Sequence, residues 1–263
     1  VKTYNLDKVG DLTVEKLPMG KYQLQEVKTL DGLVLNDTIY DVEFIKKDDT
    51  TKVYTETREI ANDTTFVEIS KTDITGETEL EGAKLTILDK DGNVIDSWTS
   101  TDKTHKIEGL VVGETYILRE EIAPNGFVRA TDVEFKVENT KKIQKVTMVD
   151  KVVDMTKKNI TGDEIEGAKM QVLDKEGKIV DEWVSGKEAH KISNLVEGEK
   201  YILHEEIAPE GYVVATDIEF EVTLDKATQH EEMIDKIVEM SKVDIAGDEI
   251  EGATIQVLDK DNK

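Results

Sequence analysis

A sequence repeat of 85 residues is the feature that most limits how this chain can fold. The segment EGAKLTILDKDGNVIDSW at 81–98 returns as EGAKMQVLDKEGKIVDEW at 166–183 and begins again as EGATIQVLDKDNK at 251–263. Likewise, YILREEIAPNGF at 116–127 returns as YILHEEIAPEGY at 201–212. A constant period of this length predicts an array built from one type of domain.

The repeat also fixes where the domains should meet. We expect residues 66–151 and 152–236 to be complete domains. KYQLQEVKTLDGL near the start aligns with the YILREE segment, so residues 1–65 should be the C-terminal part of one domain, and residues 237–263 the N-terminal part of another. Joined tail to head, the two partial domains would recreate one full repeat. The chain therefore reads as an excerpt from a longer array.

Each unit contains short segments rich in β-branched residues, separated by DG, EG or NG turns. Seven such strands per unit predict an all-β fold, a tandem array of small seven-stranded Ig-like or prealbumin-like β-sandwich domains. One stretch allows an alternative, since Met233, Ile234, Ile237 and Val238 are spaced as on a helix. Its counterpart at 141–157 alternates and is richer in valine, which favours strand, turn, strand for both.

Composition narrows the range of functions. The net charge of −24 makes nucleic acid or an anionic membrane a poor partner. There is no cysteine, hence neither disulfide nor thiolate chemistry, and no transmembrane run. His105 and His190 lack companion ligands, and DKDGN at 89–93 lacks the later glycine and glutamate of a calcium loop. We therefore predict no metal and no cofactor.

Strand alternation predicts three ionisable side chains per domain that point toward the core. A lysine ends the first strand in phase with apolar residues, a glutamate follows the tyrosine and leucine of a later strand, and an acid or amide ends the last strand. The two complete sets are Lys71, Glu120, Asp150 and Lys157, Glu205, Asp235; the partial domains contribute Glu26 with Asn62, and Lys242.

Such groups cannot remain charged and unpaired in a core. One solution is a buried salt-bridge triad, which roughly breaks even against apolar packing. Another is covalent, because burial favours a neutral amine, which is nucleophilic, beside protonated acids. The lysine would attack the Asp carboxyl with loss of water, while the Glu polarises the carbonyl and shuttles protons. With Asn62 as electrophile, ammonia would leave.

The quoted glutamate segments, with strands of the form VEISKTD and VTMVDK, resemble the collagen-adhesin B-type (Cna B-type) domains of Gram-positive surface adhesins and pilins. The resemblance implies a spontaneous isopeptide bond from Lys71 to Asp150 and from Lys157 to Asp235, assisted by Glu120 and Glu205. In the head segment, KYQLQEVKTLDGL lacks the AP-x-G-[YF] portion. The stretch from Asn62 to the lysine of the next domain, Lys71, is also longer than the stretch from Asp150 to Lys157.

The function we expect is structural: a stalk or fibre segment on the cell wall or surface of a Gram-positive bacterium, whose partners are the neighbouring repeats. An alternative is a pilus-like subunit whose terminal half-domains complement one another head to tail, with a Lys242–Asn62 bond between copies. Another is an adhesin region that binds a matrix protein or glycan. A turnover enzyme is not expected, because the proposed reaction consumes its own residues.

Overall fold

The computed structural model describes residues 1–6, 12–46, 48, 50, 56–223, 228–258, 260–261 and 263. Every regular element in these ranges is a β-strand. Accordingly, they contain no helix of the length and apolarity needed to cross a membrane. The predicted all-β architecture is confirmed.

The first complete repeat is a sandwich of two sheets. One sheet has three strands in the order β6-β3-β9, and the other has four in the order β5-β4-β7-β8. All seven predicted strands are present. Their bounds are β3 Phe66–Asp73, β4 Lys84–Leu88, β5 Val94–Thr99, β6 His105–Glu108, β7 Thr115–Ile122, β8 Val133–Lys136 and β9 Gln144–Asp150.

The first and last strands of this repeat are neighbours and run parallel, with Lys71 opposite Met148 and Asp73 opposite Asp150. All the other strand pairs in the repeat are antiparallel. A parallel pair needs a crossover connection, and here the crossover is the whole remainder of the repeat. The chain thus enters and leaves the sandwich on adjacent strands.

Alternation along the strands builds the core between the two sheets. In β3 the buried side chains alternate with half-buried ones, and in β9 with exposed ones. Trp98 and His105 pack together on the flank, with ring centroids 4.0 Å apart and planes 12° from parallel. The buried residues of this core are Val67, Ile69, Ala83, Leu85, Ile87, Ile107, Leu110, Tyr116, Leu118, Phe135, Val137, Val146 and Met148.

The second complete repeat has the same topology, with sheets β13-β10-β16 and β12-β11-β14-β15. Its first and last strands again pair in parallel, with Lys157 opposite Met233 and Asn159 opposite Asp235. The strands are β10 Val152–Asn159, β11 Lys169–Leu173, β12 Ile179–Val184, β13 His190–Ile192, β14 Lys200–Ile207, β15 Ile218–Glu221 and β16 Thr228–Asp235.

The head segment forms a two-stranded antiparallel sheet, β1 Gly20–Leu24 with β2 Tyr40–Phe44. The loop that follows β1 lies against the first complete repeat. A Cβ added to Gly32 would lie 2.7 Å from the carbonyl oxygen of Gly109, so this approach requires glycine. The longer stretch between Asn62 and Lys71 also contacts this repeat: Thr65 is buried and donates its hydroxyl proton to the Leu110 carbonyl at 2.7 Å.

The tail corrects one prediction. Residues 237–242 form no strand, and Val238, Met240 and Lys242 are exposed rather than turned toward a core. In the complete repeats the equivalent strand lies between two partners from the rear of its own repeat. Among the described residues after 242, neither partner is present, so the apolar face has nothing to pack against.

Candidate cross-linking sites

The parallel pairing of β3 and β9 brings the predicted lysine and aspartate together. Lys71 is opposite Met148, and Asp150 lies two residues further along the same face of β9. The long lysine side chain spans this diagonal, and its Nζ contacts Oδ1 of Asp150. The two residues are 79 positions apart in the chain.

Glu120 reaches the same point from the facing sheet. Its Oε1 lies 2.9 Å from Lys71 Nζ, and its Oε2 accepts a hydrogen bond from the backbone N–H of Ala130 at 2.7 Å. In the pairing of β4 with β7, Leu85 is opposite Glu120 but Lys84 is opposite Ile122, so Glu121 is the extra residue of a β-bulge. Bulges often re-aim a side chain beside a reactive site. Here the bulge comes directly after the inward-pointing glutamate.

The three groups are almost completely enclosed. The exposed fractions are 2% for Lys71, 2% for Glu120 and 1% for Asp150. Two acids share one lysine, so ionising all three would leave a net negative charge in the core. Burial is the main cause that raises the pKa of the Asp150 carboxyl; Lys71 opposes the shift and Glu120 adds to it, and together they place this pKa at about 7. Asp150 therefore holds a proton at pH values where an ordinary aspartate is ionised.

One carboxyl oxygen of Asp150 takes no part in these contacts. Lys71 approaches Oδ1, whereas the buried Oδ2 has no hydrogen-bond partner among the described residues. An unpartnered buried carboxylate oxygen is costly, and protonation of that oxygen lowers the cost. The arrangement therefore presents an amine to a carboxyl group that favours its neutral form.

The second complete repeat reproduces the site atom for atom. Lys157 Nζ contacts Asp235 Oδ1 and lies 3.0 Å from Glu205 Oε1, while Glu205 Oε2 accepts from the N–H of Ala215 at 2.7 Å. Burial again raises the pKa of Asp235, and its Oδ2 also lacks a hydrogen-bond partner within the described ranges.

The head segment contains the rear half of such a site. Glu26 Oε2 accepts from the N–H of Asn36 at 2.8 Å, as Glu120 does from Ala130, and from Nδ2 of Asn62 at 2.6 Å. The carbonyl oxygen of Val34 is a second acceptor for Asn62 Nδ2, at 2.9 Å. The different loop sequence therefore leaves this glutamate geometry intact, since Gly32 stands six residues after Glu26 as Gly126 does after Glu120.

The predicted lysine of the tail is not brought to any of these sites. Lys242 is exposed, and its Nζ donates to the backbone carbonyl of the next residue, Val243.

Two features of the sites escaped sequence reasoning. One is the bulge: alternation from Glu120 predicts that Ile122 points inward, whereas the structure shows it exposed. The other is the backbone N–H donor of Ala130, ten residues from the glutamate it holds, for which no side-chain pattern exists. The two histidines considered as metal ligands instead contact acids, His105 with Asp96 at 2.7 Å and His190 with Asp181 at 3.0 Å.

A comparison with solved structures gives matches to proteins of Bacillus and Lactobacillus, two pilins among them. The Bacillus anthracis TIE protein is 24% identical, with 84% of this chain and 42% of that chain covered and a TM-score of 0.36. The shaft pilin SpaA from Lactobacillus rhamnosus GG is 14% identical, with 67% and 98% covered and a TM-score of 0.34. BcpA, the major pilin subunit of Bacillus cereus, is 13% identical, with 66% and 99% covered and a TM-score of 0.30.

No curated protein matched the sequence. This chain spans less than half the length of the Bacillus anthracis protein. A family model, in contrast, matches nearly the whole chain, in three tandem copies over residues 1–59, 65–152 and 151–237. The description of that family is the SpaA prealbumin-like fold domain, which agrees with the resemblance drawn from the sequence. The chain belongs to the family of SpaA prealbumin-like fold domains.

Proposed function

We propose that this chain is a segment of an extracellular stalk or fibre on a Gram-positive cell surface, and that each complete repeat cross-links itself. The observation that carries the proposal is a buried lysine held between two carboxyl groups, repeated with the same geometry in both complete repeats.

The reaction we propose joins Lys71 Nζ to Asp150 Cγ. The neutral amine attacks the protonated carboxyl, Glu120 takes a proton from the attacking nitrogen, and the same proton leaves with the Asp150 hydroxyl as water. One C–N bond forms, one C–O bond breaks, and no oxidant or reductant is needed. Enclosure of the three side chains supports this scheme, because bulk water is kept from the carboxyl group and the amine already contacts that carboxyl group.

The position of the bond would suit a chain that carries tension. Pulling force enters through β3 and leaves through β9, and Lys71 and Asp150 lie toward the C-terminal ends of those two strands. Once linked, force would pass from Lys71 directly to Asp150. The intervening residues would then remain folded, whatever load the stalk carries.

Intact mass of the full chain tests the proposal. We expect a deficit of two waters, one for each complete repeat. A mass equal to that of the unmodified sequence would leave two buried salt-bridge triads and no cross-linking function.

A second function is favoured by the half-site in the head segment. Asn62 is already hydrogen-bonded to Glu26, and the described head residues supply no lysine to that pair. Lys242 of another copy would be the matching nucleophile, forming an amide with Asn62 and releasing ammonia. A ladder of multiples on a denaturing gel is the expected result; a single band would exclude covalent assembly between copies.

A further inference from the structure

The loop that follows β7, the strand that carries Glu120, is hydrogen-bonded to the second repeat. We call residues 123–129 the glutamate loop and residues 193–195 the receiving turn. Among the hydrogen bonds that cross the boundary are Ala123 N–H to Asn194 Oδ1 at 2.9 Å, Gly126 N–H to Ser193 Oγ at 2.8 Å, Asn194 N–H to the Phe127 carbonyl at 2.9 Å and Arg129 N–H to the Leu195 carbonyl at 3.0 Å.

Asn194 has an unusual backbone conformation. Among the described residues, the two non-glycine residues with positive φ are Lys16, at 62°, and Asn194, at 59°. Asn194 directly precedes Leu195, as Gly109 precedes Leu110 in the first complete repeat. Asparagine tolerates the left-handed region better than most residues, and here its side chain is also the acceptor for Ala123. Asn194 thus adds a contact across the boundary that glycine at the same position cannot make.

The docked loop leads directly to the reactive glutamate. Val128 is fully buried, at 0% exposure, and belongs to the hydrophobic core of the second repeat. Arg129, the next residue, is hydrogen-bonded to the receiving turn, and Ala130 after it donates to Glu120 Oε2. The peptide that holds the glutamate is therefore adjacent to peptides anchored in another domain.

The second repeat supplies a comparison within the same molecule. Its glutamate also accepts from a backbone N–H, that of Ala215. However, Val213, the repeat equivalent of Val128, is 47% exposed, because the described tail residues form no receiving turn for it. The second glutamate loop is thus held by its own repeat alone.

We propose that the receiving turn positions Glu120 of the repeat before it, with Asn194 as the positioning residue that acts across the domain boundary. Closure of one cross-link is then assisted by folding of the following domain. This inference rests on the proposed amide-forming reaction.

The test follows both cross-links during synthesis of the full chain. A pulse of isotope-labelled amino acid in a cell-free system is quenched at intervals with denaturant, and the linked peptides are quantified by mass spectrometry after digestion. In Asn194→Gly, which keeps a backbone compatible with positive φ, we expect the Lys71–Asp150 bond to form about fivefold more slowly, as for loss of one net hydrogen bond. The Lys157–Asp235 bond should keep its rate, which also reports that the second repeat folds.

Asn194→Asp retains an oxygen acceptor for the Ala123 N–H, so the first bond should form at near its wild-type rate. If the glycine variant were slow only because the turn is distorted, restoring the acceptor would not recover the rate. Wild-type kinetics for both bonds in Asn194→Gly would overturn the inference and leave the cross-linking function intact. So would equal slowing of both bonds, because that indicates damage to the second repeat itself. If neither repeat loses water in the unmodified chain, the proposed function itself is wrong.

Discussion

Replacing Glu120 by glutamine should prevent the first cross-link while preserving the shape of the site. Lys71 and Asp150 would remain paired in the core, but no group would carry the proton from amine to leaving hydroxyl. The intact mass should then show a deficit of one water instead of two.

The size of the stability loss follows from the length of chain that the bond encloses. Lys71 and Asp150 are 79 positions apart. By the cross-link entropy relation, closing a loop of this length restricts the unfolded chain by about 4.5 kcal/mol. For a domain of this size, each kcal/mol shifts the transition temperature by roughly 4–8 °C, so the unlinked repeat should melt roughly 20–35 °C lower.

Differential scanning calorimetry of the full chain measures this shift, with the linked second repeat as an internal reference. Glu121→Gln is the matched control, since Glu121 is the next residue along β7 and faces solvent; its transitions should not move. A variant that lacks the bond by mass but melts with the wild type would refute the entropy argument. One that still loses two waters would refute the role of Glu120.

Three further results are expected. Lys157→Ala should abolish the water loss in the second repeat alone, seen by peptide mass mapping, and loss of both deficits would mean that the sites are not independent. The folded-state pKa of Asp150 is raised to about 7, so its carboxyl keeps a proton below that pH and loses it above. In the pulse assay, the first bond should therefore form more slowly as the pH rises from about 6 to about 9. A rate that increases over this range would contradict attack on a neutral carboxyl group. Thr65→Val should remove the hydroxyl donor to the Leu110 carbonyl and destabilise the first repeat by about 1–3 kcal/mol, measured by urea unfolding in the Glu120→Gln background. Thr99→Val, at an exposed position of β5, is the control and should leave the stability unchanged.

Much of the fold was predictable because the repeat presents each pattern twice. Alternation placed Lys71, Glu120 and Asp150 on the core side of their strands, and the structure buries all three. Alternation failed where a strand depends on partners: residues 237–242 have the right pattern but pair with no strand in the part of the chain that the structure describes. The β-propensity of a segment describes its own preference for a strand, whereas a strand is stable only when neighbouring strands pair with it.

The contacts between repeats could not be predicted for a related reason. Val128 reads as part of a loop, yet it completes the core of the following repeat. Its two chain neighbours, Phe127 and Arg129, form backbone hydrogen bonds with Asn194 and Leu195, and such bonds carry no side-chain signature. The head loop shows the converse, because its sequence differs while its backbone donates to Glu26 in the same way.

The parallel pairing of the first and last strands also sets the order of events as the chain is made. β3 has its antiparallel partner β6 early, but β9 emerges only when the rest of the repeat has been synthesised. At about 5–20 residues per second, the lysine waits several seconds for its aspartate. A repeat that is interrupted or misthreaded never brings the two together. The amide bond would therefore mark a repeat as complete, and an unlinked lysine, exposed like Lys242, would mark one that is not.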